Sequence, residues 1–553
     1  MSPAWAAALQ IATLIGVLAI VHVPLGDAMA RMLMPGRHLA VERRLYRLLR
    51  VDPDADQQWR TYLVSVVAFS VAGIALLWLL LTAQSWLPLG LGRSGMPAAQ
   101  GFNTAVSFVT NTNWQSYSGE SAVGIGVQAF GLTVQNFLSA AVGIAVVAAL
   151  IRGLIRRRTD RLGNFWVDLT RLTLRLLVPL SILGAVVLVL TGVIQNLHAP
   201  LTVTTLAGGS QTVPGGLVAS QETIKQLGTN GGGYFNANSA HPFENPNGIS
   251  NLLEIFLMLV IPASLPRTFG TMVGSRKHGL AILAAMAVLF AGSLATAAAL
   301  ENAHPGAALQ AAGGAMEGKE VRFGVTGSVL FAVSSTITST GATDATHSSF
   351  TGLGGGVLLT NMLLGEIAPG GTGSGLYGML ILAVVTVFLG GLMVGRTPTY
   401  LGKKIGAGEM RWAAGYLLTT PALVLLGTAL ALVIPSAATQ ALNGGPHALT
   451  EIAYAFGSAA NNNGSAFAGL NADTTFYNIA LGVCMLLGRF VPIAFVLGLA
   501  GSLARQDVRP DDVGTLPAYK PLFVVMLIGV VALVAGLTYV PALALGPIAE
   551  GLS

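Results

Sequence analysis

The chain has 553 residues, of which 53% are hydrophobic types and only 9% are charged. Soluble globular domains carry about 25% charged residues, so this composition excludes a cytosolic enzyme, a disordered chain and a nucleic-acid-binding protein. The formal net charge is +6, yet the 29 lysines and arginines are distributed by membrane orientation rather than gathered on one binding face. A single cysteine, Cys484, excludes an internal disulfide framework.

Ten stretches are long and apolar enough to cross a membrane as helices, which takes about 20 residues. Eight contain no charged residue: 4–24, 61–83, 125–151, 176–196, 279–300, 375–394, 412–434 and 521–545. Two more, 249–273 and 477–503, contain Glu254, Arg267 and Arg489. The first stretch has neither the basic start nor the cleavage site of a signal peptide, so we expect it to be retained. The sequence therefore predicts an all-α polytopic membrane protein.

Lysine and arginine mark the cytoplasmic loops, because short loops rich in them are not translocated. Segments 27–60 and 152–171 contain seven and six of them, and 267–277, 396–411 and 505–520 contain three, four and three. The intervening segments hold only Arg93, Lys225, Lys319 and Arg322. We therefore expect both termini outside, and cytoplasmic loops too short for a nucleotide-binding domain.

Four of the external segments share one organisation, a short helix followed by a polar turn. They are 101–117, 219–236, 326–345 and 449–465. Asn103, Ser220, Thr326 and Thr450 are predicted as the N-caps of these helices. A helix of about ten residues spans about 15 Å, half the membrane.

The four turns consist of Asn, Thr, Ser and Gly: Asn111-Thr112-Asn113, Thr229-Asn230-Gly231, Ser339-Thr340-Gly341 and Asn462-Asn463-Gly464. Their third residues are separated by 118, 110 and 123 residues, which indicates an internal fourfold repeat. We assign repeats one to four to 61–160, 161–277, 278–411 and 412–505. Residues 1–60 then hold the first helix and a basic loop, and 506–553 the last loop and the tenth helix.

These turns have the chemistry of a pore lining. Non-helical backbone is tolerated at membrane depth only where it is buried in protein or lines a cavity. Rings of backbone carbonyls replace the water around a dehydrated cation, and Asn and Thr add side-chain oxygens. Such a site suits a monovalent alkali cation better than Mg²⁺ or Ca²⁺, which recruit carboxylates. The four turns are thus predicted to form one ion-binding filter.

Four motifs give the chain a family resemblance: TNTNWQSY (110–117), GTNGGGYFNANSAHPFENP (228–246), TSTGATDA (338–345) and SAANNNGSAFAG (458–469). Through them it closely resembles the potassium-binding subunit of the bacterial Kdp complex, an ATP-driven potassium pump. One departure is Tyr234, where the family pattern leads us to expect Phe. The resemblance covers essentially the whole chain. It implies the fold of the potassium transporter superfamily, with four channel-like repeats, one extra helix at each end, and location in the bacterial inner membrane.

The resemblance also implies that ATP is hydrolysed elsewhere. The implied partners are a P-type ATPase subunit, a single-span subunit and a very small membrane peptide, besides lipid. It further implies that ions leave the filter sideways through a tunnel toward the ATPase subunit. The sequence is consistent with ATP hydrolysis by a partner. It contains no nucleotide-binding G-x-x-x-x-G-K-[ST] motif, and none of its eleven Asp is followed by Lys, as the phosphorylated Asp of a P-type ATPase would be. We expect no catalytic residue, no nucleic-acid partner and no cofactor besides the transported K⁺.

Three residues just beyond the turns, Gln115, Gly232 and Asp344, are candidates for the edge of the filter. For Gln115 and the neighbouring Trp114, an interfacial or packing role and ion coordination remain open alternatives.

Two charged residues are candidates for the conduction path. Arg489 lies in the middle of span nine, where a charge costs at least about 2.5 kcal/mol, and we read it as a barrier or gate below the filter. The alternative is a salt bridge or a carbonyl partner. Glu366 precedes a GGTGSG run (370–375), which indicates a broken helix. We expect Glu366 to line the conduction route or to lie at a hinge, and a helix-end carboxylate facing water is the alternative.

Three functions compete at this stage. The first is the potassium-binding and translocating subunit of a high-affinity import pump. The second is a stand-alone K⁺ channel or symporter of the same superfamily, driven by the ion gradient alone. A membrane-embedded enzyme is the third and weakest, because the sequence contains no clustered acid, base and nucleophile.

Overall fold

A computed structural model describes residues 3–303, 316–395, 397–508 and 516–552. In this part of the chain, ten helices are long and apolar enough to span a membrane, which confirms all ten predicted spans. In chain order, spans one to ten are Trp5–Leu33, Trp59–Thr82, Ile125–Ile155, Phe165–Thr191, Gly248–Met272, Arg276–Ala303, Ser374–Met393, Ala407–Val433, Thr475–Arg505 and Pro521–Leu552. Of the loop residues counted as basic, Arg396 and Arg509 lie outside the described residues.

The spans alternate between lipid-facing and buried positions. In spans three, five, seven and nine, 89, 67, 72 and 50% of the most apolar stretch is buried inside the protein. In spans two, four, six and eight, only 17, 33, 28 and 17% is buried, and in spans one and ten 6 and 22%. Each predicted repeat therefore contributes one outer and one inner span, and the inner spans form the core.

Four shorter helices precede the polar turns: Ala98–Val109, Val218–Leu227, Gly324–Ile337 and Gly445–Asn461. We call them half-helices one to four. They have 12, 10, 14 and 17 residues, compared with the predicted ten or so. These half-helices are shorter than the ten spans, and they end at the polar turns.

The four predicted N-caps are wrong, because each half-helix begins before them. The residues preceding the helices are Pro97, Leu217, Phe323 and Gly444. A capping side chain accepts a bond from a backbone N–H, but the hydroxyls of Ser220 and Thr450 instead donate to carbonyls of Leu217 and Pro446. Hydroxyl residues also occur inside helices, where they bond to earlier carbonyls, so residue type alone did not locate the helix start.

The third repeat differs from the others because its inner span is broken. A helix over Gly352–Leu363 is separated from span seven by ten non-helical residues, 364–373. We call residues 364–373 the break segment. It includes Glu366 and three of the four glycines from which the break was predicted, whereas Gly375 lies in the first turn of span seven.

Smaller elements connect the spans. Ala40–Leu48 forms a helix in the first predicted cytoplasmic loop, and short helices occupy Gly119–Ala122 and Pro435–Ala438. The described strands form three antiparallel pairs: Gln57–Gln58 with Arg161–Gly163, Leu201–Thr204 with Ser210–Val213, and Thr399–Tyr400 with Lys403–Lys404. None of these elements contributes to the polar turns.

Candidate ion-binding site

The four polar turns share one backbone conformation. Their first and third residues all have positive φ: Asn111 (68°), Asn113 (56°), Thr229 (48°), Gly231 (85°), Ser339 (58°), Gly341 (79°), Asn462 (59°) and Gly464 (98°). The second residues, which lie between them, do not. A left-handed residue ends a helix, which explains why each half-helix stops at its turn. Five of these eight residues are not glycine, so the surrounding structure must hold them in this conformation.

Backbone hydrogen bonds fold each turn back onto its half-helix. The N–H of the second turn residue donates to the carbonyl five residues earlier in every repeat: Thr112 to Ser107 (2.9 Å), Asn230 to Lys225 (2.8 Å), Thr340 to Ser335 (3.1 Å) and Asn463 to Ser458 (2.9 Å). These carbonyls lie near the C-terminal ends of the half-helices, where carbonyls otherwise lack partners. The four turns that repeat in the sequence therefore also repeat the same backbone hydrogen bond.

The turns meet in a closed cyclic order. A Cβ placed on Gly231 would lie 1.7 Å from the carbonyl oxygen of Thr340, and one on Gly341 would lie 2.0 Å from that of Asn463. A Cβ on Gly464 would lie 1.9 Å from the carbonyl oxygen of Thr112, and one on Gly232 would lie 2.6 Å from Asn113 Cβ. Turn two thus contacts turn three, three contacts four, four contacts one, and one contacts two.

Side-chain amides join neighbouring turns. Asn111 Nδ2 donates to the carbonyl of Thr229 over 2.8 Å, and Asn462 Nδ2 donates to Thr112 Oγ1 over 2.9 Å. Asn463 Nδ2 donates to the carbonyl of Ser335 over 3.1 Å. The asparagine side chains of the turns therefore hold the ring together through their amide nitrogens, and one predicted side-chain oxygen, Thr112 Oγ1, accepts such a bond.

The backbone oxygens of the second turn residues remain available. Thr112, Asn230, Thr340 and Asn463 are all 0% exposed. Among the described residues, none of their carbonyl oxygens accepts a hydrogen bond. Buried carbonyls nearly always have a partner, because burying one unpaired costs free energy. Four such oxygens on four adjoining turns fit a cation that has lost its water.

The candidate edge residues have different environments. The Gln115 amide bonds both the N–H (3.0 Å) and the carbonyl (3.2 Å) of Gly233, so it bridges turn one to the chain beyond turn two. Gly232 packs directly on Asn113. Trp114 is 2% exposed and lies in an apolar cluster, so its role is packing rather than contact with the membrane surface.

Asp344 is fully buried three residues after turn three. Neither carboxyl oxygen has a hydrogen-bond partner among the described residues. Burial holds the pKa of Asp344 well above its usual range. In the described part of the chain, no hydrogen bond therefore joins this carboxyl to the residues of the turns.

The break segment lies against two of the turns. Glu366 is 2% exposed and accepts a hydrogen bond from Ser339 Oγ of turn three. Thr372 N donates to Thr229 Oγ1 of turn two over 2.9 Å. The alternative of a water-facing carboxylate is therefore wrong for Glu366, which contacts the ring itself.

Arg489 lies close to the ring but not on it. Arg489 is 4% exposed, and its Nη2 donates to the carbonyl of Ser139 over 3.4 Å. Ser139 Oγ in turn donates to Asn111 Oδ1 over 2.8 Å. Within the described residues Arg489 forms no ion pair, which leaves the carbonyl partner as its structural contact.

Four supporting residues escaped the sequence analysis: Ser139, Asn136, Asn238 and Thr372. Asn136 Oδ1 accepts from Asn113 Nδ2 over 2.7 Å, and Asn238 Nδ2 donates to the carbonyl of Gly231 over 2.8 Å. Asn136 and Ser139 are polar residues inside the apolar third span, and this was the available signal.

His347 supports turn four from behind. Its Nδ1 lies 2.8 Å from Tyr454 Oη, which lies 2.9 Å from Ser465 Oγ, and Ser465 N donates to Asn463 Oδ1 over 3.1 Å. Burial, aided by the Lys319 ammonium, lowers the pKa of His347 to about 3. The His347 ring is therefore uncharged at neutral pH.

Ten spans, four half-helices and a ring of adjoining polar turns define a membrane ion transporter with channel-like architecture. The solved structure of the potassium transporter TrkH from Vibrio parahaemolyticus has a similar fold, with a TM-score of 0.53 at 15% identity over 86% of this chain and 97% of that one. The model of the family described as KdpA, potassium-transporting ATPase A subunit, matches residues 12–552. The chain belongs to this family.

Relatives in the family are similar over their full lengths. The potassium-transporting ATPase potassium-binding subunit of Kineococcus radiotolerans is 60% identical, covering 99% of this chain and 98% of the relative. The protein of the same description from Streptomyces coelicolor is 59% identical over 100% of both chains, and that from Mycobacterium avium is 58% identical over 100% of both.

Proposed function

We propose that this chain is the potassium-binding and translocating subunit of an ATP-driven K⁺ import pump, and that the ring of polar turns selects the ion. The observation that carries the proposal is the set of four buried carbonyl oxygens that accept no hydrogen bond from any described residue, one from each of Thr112, Asn230, Thr340 and Asn463. A dehydrated monovalent cation supplies the partner that these oxygens lack. Family membership supports potassium as that cation.

The geometry of the ring favours tight binding of K⁺ over a high rate of ion flow. Non-glycine residues with positive φ and amide bonds between the turns keep the oxygens in place before an ion arrives. Preorganised ligands bind more tightly because less free energy is spent on ordering them. The half-helices also direct their negative C-terminal ends toward the turns, which favours a cation there. Such a site captures K⁺ from dilute medium.

In this proposal, all twelve residues of the turns bind the ion or hold the residues that bind it. Gln115, Gly232 and Asp344 lie near the edge of the ring. Glu366 and Arg489 belong to the path below the ring. The alternation of outer and inner spans supports the proposed division into four repeats.

The energy for pumping comes from a partner in this proposal. A P-type ATPase subunit hydrolyses ATP and accepts the ion, a single-span subunit and a small membrane peptide complete the complex, and the chain itself performs no bond chemistry. The complex lies in the bacterial inner membrane with both termini of this chain outside, as the basic loops indicate. A stand-alone channel or symporter is the competing assignment, supported by the likeness of fold to TrkH.

The variant Gly231→Asp tests the ring. Its Cβ would collide with the Thr340 carbonyl and its carboxylate would enter the ring, so we expect the K⁺ concentration for half-maximal uptake to rise at least about 100-fold, equal to about 2.7 kcal/mol. Uptake is measured in cells that lack other potassium importers. Gly444→Asp is the control, because Gly444 has open space around it. Unchanged K⁺ affinity in Gly231→Asp contradicts the proposal.

Purification separates the pump from the stand-alone transporter. Isolation in mild detergent should yield a stoichiometric complex whose ATP hydrolysis depends on K⁺. Passive K⁺ flux by the isolated chain in liposomes, without an ATPase partner, would instead establish the channel or symporter.

A further inference from the structure

Behind the second residue of each polar turn lies one equivalent residue, and it differs in the second repeat. Ser107, Ser335 and Ser458 hold this position in repeats one, three and four, whereas Lys225 holds it in repeat two. In each repeat, the carbonyl of this residue accepts the N–H of the second residue of the same turn. The side chain at this position therefore differs between repeat two and the other three repeats.

The three serines hold their own turns directly. Ser107 Oγ donates to the carbonyl of Trp114 over 3.0 Å, and Ser335 Oγ donates to that of Ala342 over 2.6 Å. Ser458 Oγ accepts from the N–H of Gly464 over 2.9 Å. In each case the hydroxyl fastens the chain at or just beyond the turn to the half-helix.

Lys225 points into a buried polar cluster instead. Its Nζ donates to Glu222 Oε2 (2.7 Å), Glu244 Oε2 (2.9 Å) and Ser239 Oγ (3.0 Å), and its side chain is 0% exposed. Burial raises the pKa of Glu244 to about 7, a rise that the Lys225 ammonium opposes. A buried ammonium with three partners holds the surrounding segments firmly, since leaving any of these charges unpaired is costly.

Two of these partners belong to the loop that follows turn two. Ser239 N donates to Asn238 Oδ1 over 2.8 Å, and Asn238 Nδ2 donates to the carbonyl of Gly231 over 2.8 Å. Asn238 itself has φ of 54°, so its backbone is held in the left-handed region. A continuous chain of bonds therefore runs from Lys225 through Ser239 and Asn238 to the third residue of turn two.

This bond makes the second quadrant unlike the others. Among the described residues, the carbonyls of the other third residues, Asn113, Gly341 and Gly464, accept no hydrogen bond. A carbonyl that accepts a bond from an amide is fixed in direction and shares its charge with that donor. The Gly231 oxygen is thus less free to follow a larger ion than its three counterparts.

We propose that Lys225 is a positioning residue for ion selection: through Ser239 and Asn238 it fixes the Gly231 carbonyl and so tunes the ring to K⁺ over the larger Rb⁺. This inference rests on the proposed function of the ring. It assigns the fixing of a ring oxygen to a lysine that lies behind the turn, whereas the serine hydroxyls of the other quadrants fasten the chain at or just beyond their turns.

The experiment uses the complete purified complex and compares the concentrations of K⁺ and Rb⁺ that half-maximally stimulate ATP hydrolysis. Asn238→Gly removes the amide and keeps a residue that accepts positive φ. Ser239→Ala breaks the link to Lys225, and Lys225→Met removes the ammonium at similar length. Each should lower the preference for K⁺ over Rb⁺ about threefold to tenfold, the effect of losing one hydrogen bond. The double variant Lys225→Met with Asn238→Gly should lose no more than the larger single effect, because both act on one carbonyl.

Lys319→Met is the matched control. Lys319 is also a buried lysine, and among the described residues its Nζ donates to Glu301 over 2.8 Å rather than to any residue linked to turn two. Its ammonium also lowers the pKa of His347, but burial is the larger cause of that shift, so the His347 ring stays neutral without Lys319. Its loss should leave the ion preference unchanged even if stability falls. The inference is overturned if Asn238→Gly and Ser239→Ala keep the wild-type preference within twofold while Gly231→Asp abolishes affinity. If Gly231→Asp itself has no effect, the proposed function fails instead.

Discussion

Asn462 donates its side-chain amide to Thr112 Oγ1 across 2.9 Å and so joins the last polar turn to the first, 350 residues earlier in the chain. The same Nδ2 bonds the carbonyl of Met485 in span nine at 3.0 Å. One amide therefore both helps to close the ring and anchors it to an inner span.

Replacing Asn462 should loosen this closure. Asn462→Gly keeps the left-handed backbone (φ 59°) but removes both bonds, each contributing about 1 kcal/mol. We expect the K⁺ concentration for half-maximal ATP hydrolysis by the complex to rise about tenfold, with the maximal rate retained. Asn471→Gly is the control, because Asn471 is an exposed asparagine of the same repeat whose hydrogen bonds, among the described residues, go only to Gln440. An unchanged K⁺ requirement in Asn462→Gly would mean that this bond does not support the site.

A second prediction concerns crowding within the ring. Gly341→Ala would bring a Cβ to 2.0 Å from the Asn463 carbonyl oxygen, closer than atoms can approach. We expect loss of high-affinity uptake, measured as failure of cells without other potassium importers to grow on limiting K⁺. Gly274→Ala has comparable backbone strain, since φ is 72°, but open space around the glycine. If both variants fail equally, strain rather than the ring accounts for the effect.

Much of the architecture follows from residue patterns along the chain. Apolar length predicted the ten spans, because each must cover the hydrocarbon core on its own. The polar turns were also visible, since Asn462-Asn463-Gly464 and its counterparts interrupt apolar surroundings at regular intervals. These features are local, so sequence alone reveals them.

The supporting contacts were not predictable in the same way. Thr372 reaches Thr229 across 143 residues, and Asn238 reaches the Gly231 carbonyl only because the loop between them folds back. The N-caps failed for a related reason, because Ser220 and Thr450 bond backwards to carbonyls of the preceding turn instead of forward. Tertiary packing determines which of these hydrogen bonds form, and a residue pattern along the sequence carries no information about that packing.

The contact between Glu366 and Ser339 gives a third prediction. The carboxylate lies in the break segment against turn three, with one oxygen, Oε1, lacking a partner among the described residues. Burial raises the pKa of Glu366 well above its usual range, and a K⁺ ion leaving the ring beside it favours the ionised form. The ionised carboxyl attracts that cation whereas an amide does not, so Glu366→Gln should lower the maximal rate of K⁺ transport at least about fivefold, or about 1 kcal/mol of barrier. Transport is measured in proteoliposomes containing the whole complex. Ser339→Ala, which keeps the charge but loses the bond, should reduce the rate less, and equal losses would assign Glu366 a purely structural role.

The final prediction concerns Arg489 as a barrier. Its guanidinium is buried beside span three, bonded to the Ser139 carbonyl and without an ion pair among the described residues, so its positive charge is not neutralised locally. A cation that passes straight through the ring toward the cytoplasm would meet this charge, and repulsion at low dielectric is strong. Arg489→Gln should therefore raise passive K⁺ leak through the complex in proteoliposomes without ATP, and lower the K⁺ moved per ATP hydrolysed. Arg489→Lys keeps the charge and should stay tight. Leak from both variants would indicate that the guanidinium supports packing, whereas leak from neither would remove Arg489 from the conduction path.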